Sequence, residues 1–196
     1  MVAVHGKHED AEEFLRTLIE NCANLSNLTH FNTKERHFCS ICGRVSEATE
    51  ELNRDVKSCP IDKNFQHENT ADMVQRTNPI TKICSVCKTM NSEDDISHNV
   101  TESYTRLPQV HIVSAKRFHL FRVKVTKRVF LSHILEIGGE TYYLKTVVRH
   151  HEFQGIEKGH YTTALNFETL WVICDDSLDF LITGDTPFDG YVLVFL

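Results

Sequence analysis

The sequence has 196 residues, 41% hydrophobic and 24% charged, an ordinary globular composition that excludes wholesale disorder. Lys and Arg number 21 against 27 Asp and Glu, so the formal charge is −6 and a general polyanion-binding surface is not expected. No apolar run approaches the roughly 20 residues of a membrane helix, and the first residues are charged too early for a secretory signal, so no membrane partner is expected.

The spacing predicts a helix over residues 8–23. Ala11, Phe14, Leu15, Leu18, Ile19 and Cys22 recur every three or four positions and line one face. Glu9, Asp10, Glu12 and Glu13 crowd its first turn, where the helix dipole favours negative charge.

Residues 24–109 are more polar and weakly periodic, and they hold Cys39-Ser-Ile-Cys42 and Cys84-Ser-Val-Cys87. Two cysteines three apart on a tight knuckle present both thiolates to one ion, and two such knuckles complete a closed tetrahedral zinc site. Residues 43–83 separate them, a longer gap than in a compact zinc ribbon. Four reduced, buried cysteines without metal are the competing reading. A thiol–disulfide role is weaker, because neither pair sits in a βαβ context. With seven cysteines in all, an odd number, a disulfide framework is disfavoured and a cytoplasmic or nuclear setting is expected. A metal clip in so polar a segment predicts that chelation loosens residues around 39–90 more than the C-terminal half. Asn91–Arg106 has almost no apolar content and reads as an exposed loop.

From Leu107 onward the pattern is that of strands in a largely antiparallel sheet. Phe121, Val123 and Val125 alternate with Arg122, Lys124 and Thr126. Tyr142, Leu144 and Val148 share one parity, with Tyr143, Lys145 and Arg149 on the other. Gly138-Gly139 and Gly184-Asp185 mark turns, and Thr162–Leu165, Leu170–Cys174 and Tyr191–Phe195 supply further strands. If the chain turns back around Phe167-Glu168, His160 faces Asp175, and Tyr161, Thr163 and Leu165 oppose Cys174, Val172 and Leu170. A carboxylate bonded to an imidazole fixes its tautomer and suits it to act as a general base; an ordinary exposed cross-strand pair is the alternative.

Together these motifs resemble the ubiquitin-specific proteases, thiol enzymes with a papain-like arrangement. His8-Glu9-Asp10-Ala11-Glu12-Glu13-Phe14-Leu15 resembles the family's Gln-Asp box, with His8-Glu9 in place of glutamine. The cysteine pairs resemble its zinc-bearing fingers. Leu107-Pro108 with Ala115-Lys116-Arg117-Phe118 resembles the strand entering its palm. Tyr142-Tyr143-Leu144, Val147-Val148-Arg149-His150, Gly159-His160-Tyr161, Trp171 with Asp175, and Tyr191-Val192-Leu193 resemble its histidine box and closing strand.

The resemblance implies an α+β papain-like fold: a partial helical thumb (8–23), fingers (about 30–106) and an antiparallel palm (107–196). It implies His160 as catalytic base and Asp175 as the residue that orients it. Asp10, Glu13, Gly159 and Tyr161 would meet the tail of ubiquitin, and Cys39, Cys42, Cys84 and Cys87 would hold one structural zinc. The family's Gly-Asn-Thr-Cys box would lie upstream of residue 8, and only seven residues precede that position, so the nucleophile is not found. Cys22 and Cys174 sit where a helix C-terminus and two aspartates oppose a thiolate, and Cys59 has no catalytic frame.

Three functions follow as expectations: a deubiquitinase; a ubiquitin-binding pseudo-enzyme or scaffold that keeps recognition without hydrolysis; and a zinc-containing nucleic-acid binder. The last would use Lys116, Arg117, Arg122, Lys124, Lys127 and Arg128, and net charge opposes it. Without the cysteine lobe over its apolar helix face, the isolated chain is expected to be marginally stable or to self-associate.

Overall fold

The computed structural model describes residues 10–47, 51–61, 68–75, 78–82, 84, 86–87, 96–117, 125, 129–152, 159–168, 170–176, 178–183 and 190–196. In chain order these form α1 (Ala11–Asn21), α2 (Ala23–Thr29), β1 (Phe31–Cys39), β2 (Val45–Glu47), β3 (Leu52–Arg54), β4 (Lys57–Pro60), β5 (Glu68–Asn69), α3 (Thr70–Gln75), β6 (Asn78–Lys82) and β7 (Ile96–Arg106). There follow β8 (His111–Lys116), β9 (Val129–Phe130), β10 (Ile134–Ile137), β11 (Glu140–Glu152), β12 (Gly159–Phe167), β13 (Leu170–Asp175), β14 (Leu178–Thr183) and β15 (Gly190–Phe195). The class is α+β, with few helices and one large sheet. No helix among the described residues is long and apolar enough to cross a membrane.

Two compact units emerge: Met1–Thr29 with Asp55–Val74 and Pro108–Leu196, and His30–Arg54 with Gln75–Leu107. The described residues of Asp55–Val74, a stretch expected within the finger segment, therefore fall in the first unit. There β4 pairs parallel to β8, and Val56, Cys59 and Ile61 are buried.

In the first unit Asp10 caps α1, its Oδ1 accepting the N–H groups of Glu12 (2.8 Å) and Glu13 (3.2 Å). Cys22 is extended and ends the helix, and α2 then runs on its own, so the expected 8–23 helix divides; residues 8 and 9 lie outside the described residues. Ala11, Leu15 and Ile19, four apart, pack against Val56, Ile112, Tyr191 and Val192. Phe14, 48% exposed, and Cys22 lie off that stripe, contrary to the wider face expected.

Glu12 takes an inward position instead. Its carboxylate receives Lys116 Nζ at 2.8 Å, Arg16 Nε at 3.0 Å and the Ser114 hydroxyl. Burial opposes its charge, yet these hydrogen bonds and the Lys116 charge outweigh burial and hold the carboxyl below its ordinary 4.5. A carboxyl depressed by folding stabilises the fold above its unfolded pKa, and that contribution is lost as pH falls through the folded value. Glu12→Gln is expected to cost about 1.5–3 kcal/mol at neutral pH. It is also expected to flatten the acid limb of a urea-denaturation series; an unchanged acid limb would contradict the assignment.

The large sheet runs β14-β13-β12-β11-β15-β8-β4, with β10 also paired to β11 through the Gly138-Gly139 turn. Val113, Leu193, Val147 and Ala164 stand side by side across four adjacent strands, each at most 1% exposed. Burial of the valine and leucine side chains contributes about 1.5–3 kcal/mol each. The sequence parity placed Val148 with Tyr142 and Leu144. A register shift against β15 between Leu144 and Thr146 instead makes Val147 the fully buried residue, while Val148 packs towards α1. Of the predicted strand Phe121–Val125 only Val125 lies among the described residues, and the Gly184-Asp185 turn lies outside them.

The second unit is a sheet of order β2-β1-β7-β6, with β3 also on β1. Its long central strand β7 occupies most of the stretch expected as a loop. The strand exists because β1 pairs with it from His98 to Arg106 and β6 from Ile96 to Val100, a ladder that needs little apolar alternation.

Candidate active site and metal centre

In the second unit β1 ends at Cys39, and the chain reverses tightly into β2. The Gly43 N–H donates to the Cys39 carbonyl at 3.0 Å and the Cys39 N–H to Arg44 at 2.9 Å. Gly43 closes the knuckle at φ +69, a backbone conformation suited to glycine. Cys84 and Cys87 come in from the second pair, and one sulfur from each of the four cysteines lies within 4.8 Å of the others.

The spacing of the sulfurs tests the donor set. Cys39 Sγ lies 3.8 Å from Cys87 Sγ, and Cys42 Sγ lies 3.8 Å from Cys84 Sγ. A tetrahedron with zinc–sulfur bonds of about 2.3 Å puts its sulfurs about 3.8 Å apart, whereas a disulfide needs about 2.05 Å. The four residues fit one zinc. Backbone N–H groups of Cys87 and Val86 hold the Cys84 thiol down to about 6, and those of Cys42 and Ile41 lower Cys39. Burial and the neighbouring sulfurs push Cys87 up to about 12, so a divalent ion is what lets all four ionise together.

In the first unit β12 and β13 form a hairpin, and Glu168, just after β12, takes up a left-handed backbone at φ 60. Thr163 pairs with Cys174, Leu165 with Val172 and Phe167 with Leu170. The register is two residues away from the expected one, because the chain turns back one residue later than Phe167-Glu168. An even slip preserves the face, so His160 and Asp175 still share a side, diagonally rather than directly opposite.

The two are hydrogen-bonded, His160 Nε2 to Asp175 Oδ1, with side chains 32% and 37% exposed. That bond raises the His160 pKa above its ordinary 6.5. Burial opposes the shift, and the charges of Asp175 and Asp176 add to it. With Nε2 engaged by the carboxylate, Nδ1 is the ring nitrogen left to exchange a proton.

The remaining site residues gather near the start of α1. Asp10, besides capping the helix, accepts the Tyr191 hydroxyl on Oδ2. Tyr191 lies 6.3 Å from the Tyr161 ring, and Tyr161 lies 4.8 Å from that of His150. Glu13 is exposed on the same turn. Sequence reasoning assigned no role to His150; the signal for it was its opposition to Tyr161 across the β11–β12 pair.

At Gly159 the His150 imidazole lies where a Cβ would project, so the glycine is what allows this close approach. Gly159→Ala is expected to cost about 1–3 kcal/mol by overpacking. Most of the cost should vanish in the double variant with His150→Ala, and a double-mutant cycle with no coupling would contradict this.

Of the cysteines outside the metal centre, Cys59 is fully buried, Cys22 is exposed after α1 and Cys174 is half-buried on β13. Asp175 is the sole hydrogen-bond partner of His160 among the described residues. Arg117 and Lys116, expected on a basic face, are engaged otherwise: Arg117 is 1% exposed and Lys116 is bonded to Glu12. Arg122, Lys124, Lys127 and Arg128 lie outside the described residues.

The family model described as ubiquitin carboxyl-terminal hydrolase matches residues 3–195. No curated protein gives a match. Among solved structures, a Ubp8 variant in the SAGA DUB module with Sgf11, Sus1 and Sgf73, bound to monoubiquitin, is similar at a TM-score of 0.73 and 17% identity. The match covers 96% of this chain and 48% of that chain. The same module bound to ubiquitin aldehyde gives a TM-score of 0.71 at 16% identity, covering 96% and 49%. The likeness is one of fold, and the chain spans about half the length of the solved chains it matches.

Proposed function

The chain belongs to the ubiquitin carboxyl-terminal hydrolase family, and from that premise we propose that it recognises the C-terminal tail of ubiquitin and carries the proton-handling half of a thiol hydrolase site. The observation that carries the proposal is the assembled His160–Asp175 pair, with Nδ1 left for a thiol. In such a reaction a thiolate attacks the carbonyl after the terminal glycine of ubiquitin, the amine leaves, and water releases the thioester. His160 would take the thiol proton and return it to the leaving amine, while Asp175 holds the ring.

None of the seven cysteines is hydrogen-bonded to His160: four form the metal centre, and Cys22, Cys59 and Cys174 stand as described above. The 196 residues by themselves are therefore proposed to bind ubiquitin without forming the thioester. That two similar solved chains are bound to monoubiquitin or ubiquitin aldehyde supports this partner. Asp10 and Glu13 supply carboxylates for the basic tail, able to take arginine in paired hydrogen bonds. The nucleic-acid reading is not favoured, since burial of Arg117 and pairing of Lys116 remove two of its six cations.

Calorimetric titration of the chain with ubiquitin, and with ubiquitin lacking its last two glycines, tests the proposal. Asp10→Asn removes the charge but keeps the helix cap, since asparagine caps as well as aspartate. Combined with Glu13→Lys it is expected to weaken binding by about tenfold, roughly 1.4 kcal/mol. Absence of ubiquitin binding, or equal affinity for the truncated form, would overturn the proposal.

A further inference from the structure

His160 stands beside two carboxylates. A ring nitrogen of His160 and one oxygen each from Asp175 and Asp176 lie within 4.8 Å of one another. We propose that these three side chains form a second metal site, open and exchangeable, for a divalent ion of the zinc class. Ion binding stands on the geometry alone; its consequence for proton transfer rests on the function proposed above.

Consecutive residues on a strand point to opposite faces, so Asp175 and Asp176 would ordinarily diverge. β13 ends at Asp175, and Asp176 turns into the left-handed region at φ 49, which lets both carboxylates approach the same imidazole. Among the described residues no lysine or arginine pairs with either aspartate, so two negative charges converge beside one imidazole. A divalent ion would balance them.

The donor set indicates which ion. Calcium and magnesium are hard ions that favour all-oxygen sets completed by water, and an imidazole nitrogen is a poor ligand for either. One imidazole and two carboxylates, with positions left for water, match the three-ligand pattern of open zinc centres and the preferences of ions that favour nitrogen. His160 and Asp175 are about one-third exposed, at 32% and 37%, and Asp176 is exposed, so an ion can enter and leave. His151 is the nearest further imidazole, 6.5 Å away between ring centroids, and its Nε2 is already bonded to the Thr162 hydroxyl at 2.8 Å. It is therefore left out of the set.

An ion on His160 would occupy a lone pair that proton exchange requires, or displace Asp175 from the ring. Either way, metal occupancy and proton transfer exclude each other. The two sites differ in kind: four thiolates closed around a structural ion, and an exposed nitrogen–oxygen site that samples free metal.

The test is a titration of the full chain, its four-cysteine centre loaded with zinc, with cobalt(II), followed by calorimetry and visible absorption. One further equivalent should bind, with a spectrum lacking the thiolate-to-cobalt charge-transfer band. Asp176→Asn, in which asparagine tolerates the left-handed backbone, is expected to weaken this equivalent by at least about tenfold. His160→Ala should abolish it, and magnesium should not compete. No second equivalent, a charge-transfer band on the second equivalent, or unchanged affinity in Asp176→Asn would each overturn the site. Cobalt binding without ubiquitin binding would remove the proposed function and leave the site; ubiquitin binding without cobalt binding would do the reverse.

Discussion

Replacing Cys84 by serine, or stripping the metal with a chelator, is expected to unfold the unit His30–Arg54 with Gln75–Leu107 while the large sheet of the other unit stays folded. Among the described residues of the smaller unit the buried hydrophobics are Phe31, Cys39, Cys84, Cys87 and Val100, so three of the five are metal-centre cysteines. A sheet with so little apolar interior draws its stability from the ion that closes it. Structural zinc contributes about 10–16 kcal/mol in isolated zinc-finger peptides, more than a small polar sheet supplies unaided. Hydrogen exchange after chelation should lose protection across Phe31–Cys39 and Ile96–Arg106 and retain it across Gly159–Phe167 and Gly190–Phe195. Equal loss in both units would contradict a local metal clip.

Arg117→Ala is expected to destabilise the large-sheet unit by more than about 3 kcal/mol. The Arg117 side chain is 1% exposed, and its guanidinium donates to the Gly190 carbonyl at 2.9 Å and the Val125 carbonyl at 3.2 Å. Hydrogen bonds from a charged donor contribute about 1.5–3 kcal/mol each, and truncation leaves both carbonyls unsatisfied in a buried setting. Gly190 opens β15, a central strand of the sheet, so the loss falls where the sheet is best packed. Lysine is not expected to rescue, because one ammonium cannot reproduce the planar fork. Urea unfolding of Arg117→Ala and Arg117→Lys measures both effects, and a loss below about 1 kcal/mol in the alanine variant would contradict the assigned role.

The features legible in the sequence were those whose signal is local or survives an even slip. Each cysteine pair fixes its own knuckle by spacing, and the fit of four sulfurs to one ion follows once the chain brings the knuckles together. The His160–Asp175 pair survived a hairpin register two residues away from the expected one, since only an odd slip moves a side chain to the other face.

What escaped depends on partners far along the chain. Glu12 looks like one of several solvated acids until Lys116 and Ser114, more than a hundred residues later, bury it. Arg117 reads as one member of a basic run until Gly190 and Val125 claim it. The role of Asp10 as acceptor for Tyr191 spans nearly the whole chain. β7 was hidden because its hydrogen-bonded neighbours, not its composition, make it a strand. The bulge that exchanges Val148 for Val147 has no glycine or proline to announce it.

Whether the grip and the proton carrier are present without a cutting sulfur is tested most directly by incubating the chain with ubiquitin bearing a thiol-reactive C-terminal electrophile. Intact-mass spectrometry would be read beside a titration with unmodified ubiquitin. The expected result is saturable ubiquitin binding with no covalent adduct. An adduct on Cys22, Cys59 or Cys174 that vanishes in His160→Ala would contradict it, because one of those thiols would then be served by the imidazole.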